Sequence, residues 1–203
     1  MSPRNRETNK QIRDERREQI LRAALQVFAQ KGLAATKISD IAATAQLSHG
    51  LIYHYFKSKD EIFTTLATEA LETSSNIIIY AANLPGTPWE RLKAMTEAIV
   101  PTACQGIGHY YFLIVIEAFT SEAVPAQVKE LAVRQSFLHT EHLVPLIREG
   151  QQLGEIVDGE PLQLAVSYTS MIRGMGIVGT LGGKGLPLPT TEMILRLFKA
   201  SIK

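Results

Sequence analysis

The sequence predicts an all-α protein: an N-terminal three-helix helix-turn-helix head followed by a larger helical body. Three observations carry that prediction. Apolar residues recur every three or four positions along nearly the whole chain, the spacing that gives a helix one buried face. Helix-starting boxes and glycine or proline stops punctuate the pattern. No stretch alternates apolar and polar over strand length. Ile77 to Tyr80 is β-prone by composition, yet it is short and continues a helical pattern.

Each element has its own local reason. From Ile20, the residues Ile20, Leu21, Ala24, Leu25, Phe28 and Ala29 line one face, with Lys31 in the last turn and Gly32 as the stop. Thr36 is placed to cap a short second helix through Ile38, Ile41, Ala42 and Ala45. A turn at Gln46–Leu47 leads to Ser48, which can cap a third helix holding Ile52, Tyr55 and Phe56. Ser58-Lys59-Asp60-Glu61 is a capping box, and it opens a long helix through Ile62, Phe63, Leu66 and Leu71 that ends before Pro85-Gly86. Thr87-Pro88-Trp89-Glu90 is a second box, with proline at the first helical position. Later helices read as 107–120, 125–152, 161–181 and 190–201, divided by Gly106/Gly108, Pro125, Gly154 to Pro161, and the loop Gly182 to Pro189. The chain thus divides into a head, 1–57, and a body, 58–203.

Composition narrows the function. At 203 residues, 45% hydrophobic and 20% charged, the chain reads as globular, not disordered or collagen-like. No apolar run approaches the ~18 residues of a membrane span, and the polar, charged N-terminus lacks the apolar stretch of a secretory signal. The single cysteine, Cys104, excludes an internal disulfide framework and a Cys-only zinc site. The expectation is a cytoplasmic protein without a membrane partner. The net charge of +1 conceals an asymmetry: residues 1–60 carry 11 Lys and Arg against 6 acids, and the remainder is net acidic. A basic head on an acidic body suits a polyanion at the head.

Two short helices joined by a tight turn can hold the second across a DNA major groove, which admits a helix. Such a helix needs one apolar side for its seat and one polar side for DNA. Ile52 and Phe56, four apart, supply the seat, while Ser48, His49, Gly50, Tyr53 and His54 fall toward the other side. Gly50 permits close approach, and the backbone amides at the helix start favour an anion. Lys57 and Lys59 suit phosphate neutralisation, and Tyr53, Thr36 and Lys37 can also reach phosphate.

These residues resemble a known family. Gly32, the run Thr36 to Ala42, Leu47-Ser48, and Gly50-Leu-Ile-Tyr-His-Tyr-Phe-Lys57-Ser-Lys-Asp-Glu-Ile-Phe63 look like the DNA-binding domain of TetR-type transcriptional regulators, over about residues 16–66. The resemblance implies a homodimer on palindromic double-stranded operator DNA, most simply a repressor, released when a small-molecule effector binds the helical body. It places Thr36, Lys37 and Ser39 at the start of the supporting helix near phosphate. It places Ser48, His49, Gly50, Leu51, Tyr53 and His54 on the recognition helix, and Lys59 at the start of the linking helix. The sequence departs from the family at Gln46, a position often glycine, at His49, often basic, and at Leu51, often small and polar. Leu51 can meet a thymine methyl in place of a hydrogen bond.

In the body, Gly174-Met-Gly176-Ile-Val-Gly179 spells the dinucleotide fingerprint without the preceding strand that would make it one. The better reading is glycines that let a partner helix approach. His139 and His142 have chelating spacing but no third ligand. No catalytic set and no cofactor is expected: Ser167 and Ser170 have no triad arrangement and there is no G-x-S-x-G elbow. The aromatic cluster His109, Tyr110, Tyr111, Phe112, Glu117 and Phe119, with Phe137, His142, Tyr168, Met171 and Arg173, is a candidate lining for a pocket that takes a small, largely apolar or aromatic effector. Glu117 and Arg173 are charges on otherwise apolar helices and are expected to pair with each other. The helices 161–181 and 190–201 are apolar on more than one face, which favours dimerisation through a four-helix bundle. Two alternatives stand beside this reading: a DNA-binding regulator with a fully packed body and no effector, and an all-α enzyme with an incidental basic head.

Overall fold

The computed structural model describes residues 3–104, 106–179, 187 and 190–201, with side chains from Lys10 onward. Among them are nine helices: α1 (Pro3–Ala35), α2 (Ile38–Ala45), α3 (His49–Tyr55), α4 (Lys59–Ala82), α5 (Pro88–Cys104), α6 (Gly106–Thr120), α7 (Ala126–Gln152), α8 (Pro161–Gly179) and α9 (Thr191–Phe198). An isolated antiparallel bridge joins Ile156 to Lys199. Except for Pro187, the expected loop from Gly182 to Pro189 lies outside the described residues.

The stops and caps act largely as their chemistry dictates, with one correction. Gly32 breaks α1 at φ 73, so the glycine stop becomes a kink followed by one further turn. The second helix is not capped by Thr36. Its N-cap is Lys37, whose N–H donates to the Asp40 carboxylate at 3.0 Å. The Thr36 hydroxyl instead donates back to the Gly32 carbonyl at 2.7 Å, and the residue is buried. Ser48 accepts from Leu51 N–H at the start of α3, and Ser58 accepts from Glu61 N–H at the start of α4. At Thr87 the box closes in both directions, Thr87 N–H to the Glu90 carboxylate and Glu90 N–H to the Thr87 hydroxyl.

Packing crosses the line drawn at 57/58. One apolar core joins Phe28 of α1, Ile41, Ile52 and Phe56 of the head to Phe63 and Leu66 of α4, Ile114 of α6 and Val128 of α7. Phe28 and Phe63 meet edge to face at 5.3 Å. A second core gathers Met95, Leu143, Ile147, Tyr168, Ile172 and Phe198 from α5, α7, α8 and α9. The glycines of α8 work inside the chain: a Cβ at Gly176 would enter the Phe112 ring of α6, and one at Gly179 would lie 2.9 Å from the His109 ring. Gly176 and Gly179 thus admit α6, while nothing lies within 4 Å of a Cβ built on Gly174.

Candidate nucleic-acid interface and ligand cavity

The head presents α3 on a rigid seat. Ile52 and Phe56 are buried against α1 and α2, and the Arg17 guanidinium lies 5.0 Å from the Phe56 ring centroid. The turn before α3 depends on Gln46 in the left-handed region at φ 55, the only described residue other than glycine at positive φ. Its N–H and that of Leu47 return to Ala43 and Ala42 carbonyls at 3.2 and 3.0 Å, which closes α2. Gln19 of α1 completes the closure by donating to the Ala45 carbonyl at 2.8 Å.

The seat leaves Ser48, His49, Gly50, Tyr53 and His54 exposed on one outward face, with Leu51 half-buried beside them. His49 and Tyr53 stack edge to face at 5.1 Å, which pre-orders the face. Nothing lies within 4 Å of a Cβ built on Gly50, so the start of α3 is open. Lys37, Ser39 and Lys57 are exposed on the same module. Two expected phosphate contacts face elsewhere. Thr36 is buried with its hydroxyl spent on Gly32. Lys59 donates to the carbonyls of Leu33 at 2.7 Å, Thr36 at 3.0 Å and Ala34 at 3.3 Å. Its ammonium holds the end of α1, which would otherwise leave those carbonyls without partners.

The body holds a cavity of about 280 Å³ between α4, α5, α6, α7 and α8. Phe112, Tyr168 and Arg173 line it as expected; Glu117, Phe137, His142 and Met171 do not. Phe137 is 67% exposed on the outside of α7. Glu117 and Arg173 are not a pair. The Glu117 carboxylate accepts from Leu33 N–H at 2.6 Å, just past the Gly32 kink, and burial pushes its pKa up against that bond and the nearby Lys59. Arg173 lies over the Phe119 ring at 4.3 Å and donates to Ser136 Oγ at 2.8 Å.

Tyr111, Phe119 and His139 also line the cavity, and the structure adds Gln135 and the apolar wall of Ile78, Ile99 and Ile172, which the aromatic pattern did not single out. His139 is buried, with Nε2 2.9 Å from Ser75 Oγ. Burial, then the charges of Arg173 and His142, depress its pKa from 6.5 to about 4. Ser75 has one hydrogen and two further oxygen neighbours, Leu71 O and Gln135 Oε1, so the neutral imidazole donates through Nε2–H. The Tyr168 hydroxyl is similarly committed to Thr96 Oγ1 at 3.0 Å, leaving its ring as wall. No group of three metal-ligating side chains occurs among the described residues, and no single described helix is long and apolar enough to cross a membrane.

Known proteins share this arrangement. Residues 20–66 match the family described as bacterial regulatory proteins, tetR family. The transcriptional activator FasR of Mycolicibacterium smegmatis is 30% identical over 125 residues, covering 62% of this chain and 57% of that protein. The chain spans between 40% and 57% of the length of the first curated relatives it matches. The MbdR regulator from Azoarcus sp. CIB superposes with a TM-score of 0.78 at 27% identity, over 92% of this chain and 98% of that one. The fold is also that of AibR, solved with isovaleryl coenzyme A and operator DNA, with a TM-score of 0.71 at 17% identity over 89% and 94% of the two chains.

Proposed function

We propose that this chain, whose residues 20–66 match the tetR family of bacterial regulatory proteins, is a dimeric, ligand-responsive regulator of transcription. The observation that carries the reading is α3: a capped helix seated by Ile52 and Phe56, with Tyr53, His49 and His54 turned outward. Residues 1–57 form the reader. Ser48, His49, Gly50, Leu51, Tyr53 and His54 meet the major groove, and Lys37, Ser39 and Lys57 meet phosphates. Thr36 and Lys59 serve as frame, since their polar atoms are engaged within the head.

Residues 58–203 form the regulatory body. Exposed Leu162 and Val166 on α8 and Met193 and Leu197 on α9 support pairing of two copies through these helices. Two heads so held would span half-sites about 34–36 Å apart on B-DNA. The cavity supports effector control: an effector there would touch α6, whose Glu117 grips the head at Leu33. Repression, with release on effector binding, is the simplest sign for a reader that occupies its operator unliganded. Curated relatives bear the names of activators and of repressors.

Selecting bound duplexes from a random pool tests the reading, and mobility shift then measures affinity. We expect a roughly palindromic site and a strong salt dependence. Tyr53→Ala should weaken binding about five- to hundredfold, the loss of one hydrogen bond to DNA in each of the two heads, with no change in oligomeric mass. An unchanged shift for Tyr53→Ala, or failure to select any duplex, would overturn it.

A further inference from the structure

We propose that the cavity takes a small monocarboxylate with an apolar body, its carboxylate gripped by the Arg173 guanidinium. The inference rests on the effector reading above and names its chemistry. Most of the wall is apolar, with Phe112, Val115, Phe119, Ile78 and Ile172 facing the space. Arg173 is the one permanent cation among the described residues that line it. The ion pairs among the described residues involve Lys31, Arg91, Lys93 and Lys129, and Arg173 joins none of them.

A half-buried guanidinium with no counter-ion among the described residues is costly, because water is removed from the charge and no opposite charge replaces it. Burial alone lowers the Arg173 pKa, and no acid opposes the shift. Arginine carries five N–H donors in a planar fork, and its hydrogen bond within the chain goes to the Ser136 hydroxyl. The Phe119 ring lies under the guanidinium, its centroid 4.3 Å from the central carbon, and helps hold it in place. A carboxylate fits such a fork with two parallel bonds and restores neutrality.

The other titratable groups among the described lining residues do not compete. His139 is neutral and bonded to Ser75. The Tyr168 hydroxyl is bonded to Thr96. Glu69, the single acid among the described lining residues, is exposed on α4 near Tyr111, whose pKa burial and then this charge raise, and solvent screens it. At interior packing density, 280 Å³ holds about a dozen non-hydrogen atoms. One aromatic ring, or a chain of about eight carbons, fills it together with the acid group.

The test is calorimetric titration of the full chain at pH 7 with 3-phenylpropionate and with octanoate, each beside its neutral alcohol. The acids should bind roughly ten- to hundredfold more tightly than the alcohols, the worth of a charge-assisted pair of bonds. Arg173→Gln should erase that preference, and Arg173→Lys should keep part of it, with circular dichroism confirming the fold of each. If Arg173→Gln does not fold, Arg173→Lys alone decides by a partial loss. Val115→Trp, which fills the cavity and leaves Arg173 in place, should block binding. Equal binding of acid and alcohol, a preference that survives Arg173→Gln, binding that survives Val115→Trp, or no binding of either acid would each overturn the proposal. Mobility shift on the same samples separates it from the reading beneath. Acids that bind without altering DNA affinity uphold the carboxylate site and defeat effector control. Alcohols that bind and shift DNA affinity as acids do uphold effector control and defeat the carboxylate site.

Discussion

Gln46 shows how one residue can carry a local conflict. The turn between α2 and α3 needs a left-handed residue, and glutamine occupies it at φ 55, where a Cβ costs about 1 kcal/mol. Gln46→Gly should stabilise the head by about 0.5 kcal/mol, the strain relieved less the extra entropy of an unfolded glycine; denaturant midpoints would show it. His139 carries a different tension. Its folded pKa is lowered from 6.5 to about 4 by burial and by the positive charge of Arg173 and His142. The unfolded chain therefore binds a proton that the folded chain refuses, and this contribution to stability, full above pH 6.5, is lost as pH falls toward 4. His139→Gln should remove a loss on the order of 1–2 kcal/mol between pH 7 and 5, read as a flatter pH dependence of unfolding than in the unaltered protein. Neither tension is visible in a helical pattern without the neighbours that cause it.

At the scale of elements, α6 has two duties set by its two faces. Tyr111, Phe112, Val115 and Phe119 line the cavity, while Glu117 reaches the backbone of α1 at the Gly32 kink. A ligand that moved α6 would thereby act on the head through this hydrogen bond, close to the Lys59 clamp on the same turn. Glu117→Ala should cost about 1–3 kcal/mol by leaving the Leu33 N–H without its acceptor. Glu117→Gln should stay within about 1 kcal/mol, since an amide oxygen still accepts. Equal losses in thermal unfolding would count against the hydrogen bond as the tie. Periodicity marked Glu117 and Arg173 as charges needing a partner; Glu117 accepts from Leu33 N–H, and Arg173 meets the Phe119 ring and the Ser136 hydroxyl. Their partners were misassigned because spacing along one helix says nothing about which neighbour each face meets.

For the whole molecule, the exposed apolar side chains of α8 and α9 set the expectation of assembly. Leu162, Val166, Met193 and Leu197 are each about half exposed or more, a concentration that a solvated surface rarely keeps. Leu197→Glu should convert a dimer into a monomer in analytical ultracentrifugation and reduce operator affinity by at least tenfold, because two half-sites would no longer be bound as a unit. A dimer that persists through Leu197→Glu would move the interface elsewhere. The salt dependence of binding should remain, since each head keeps Lys37 and Lys57.

The all-helical class, the caps at Ser48, Ser58 and Thr87 and the outward polar face of α3 were legible in the chain, since each arises from residues within a few positions of one another. The fate of Thr36 and Lys59, the inward use of Gly176, the capture of Leu33 by Glu117 and the isolation of Arg173 beside a cavity were decided only by tertiary structure. Those depend on which helices lie against each other, and that is set by the joint burial of apolar faces from distant parts of the chain. Local spacing fixes the face a side chain takes; only packing determines what waits there.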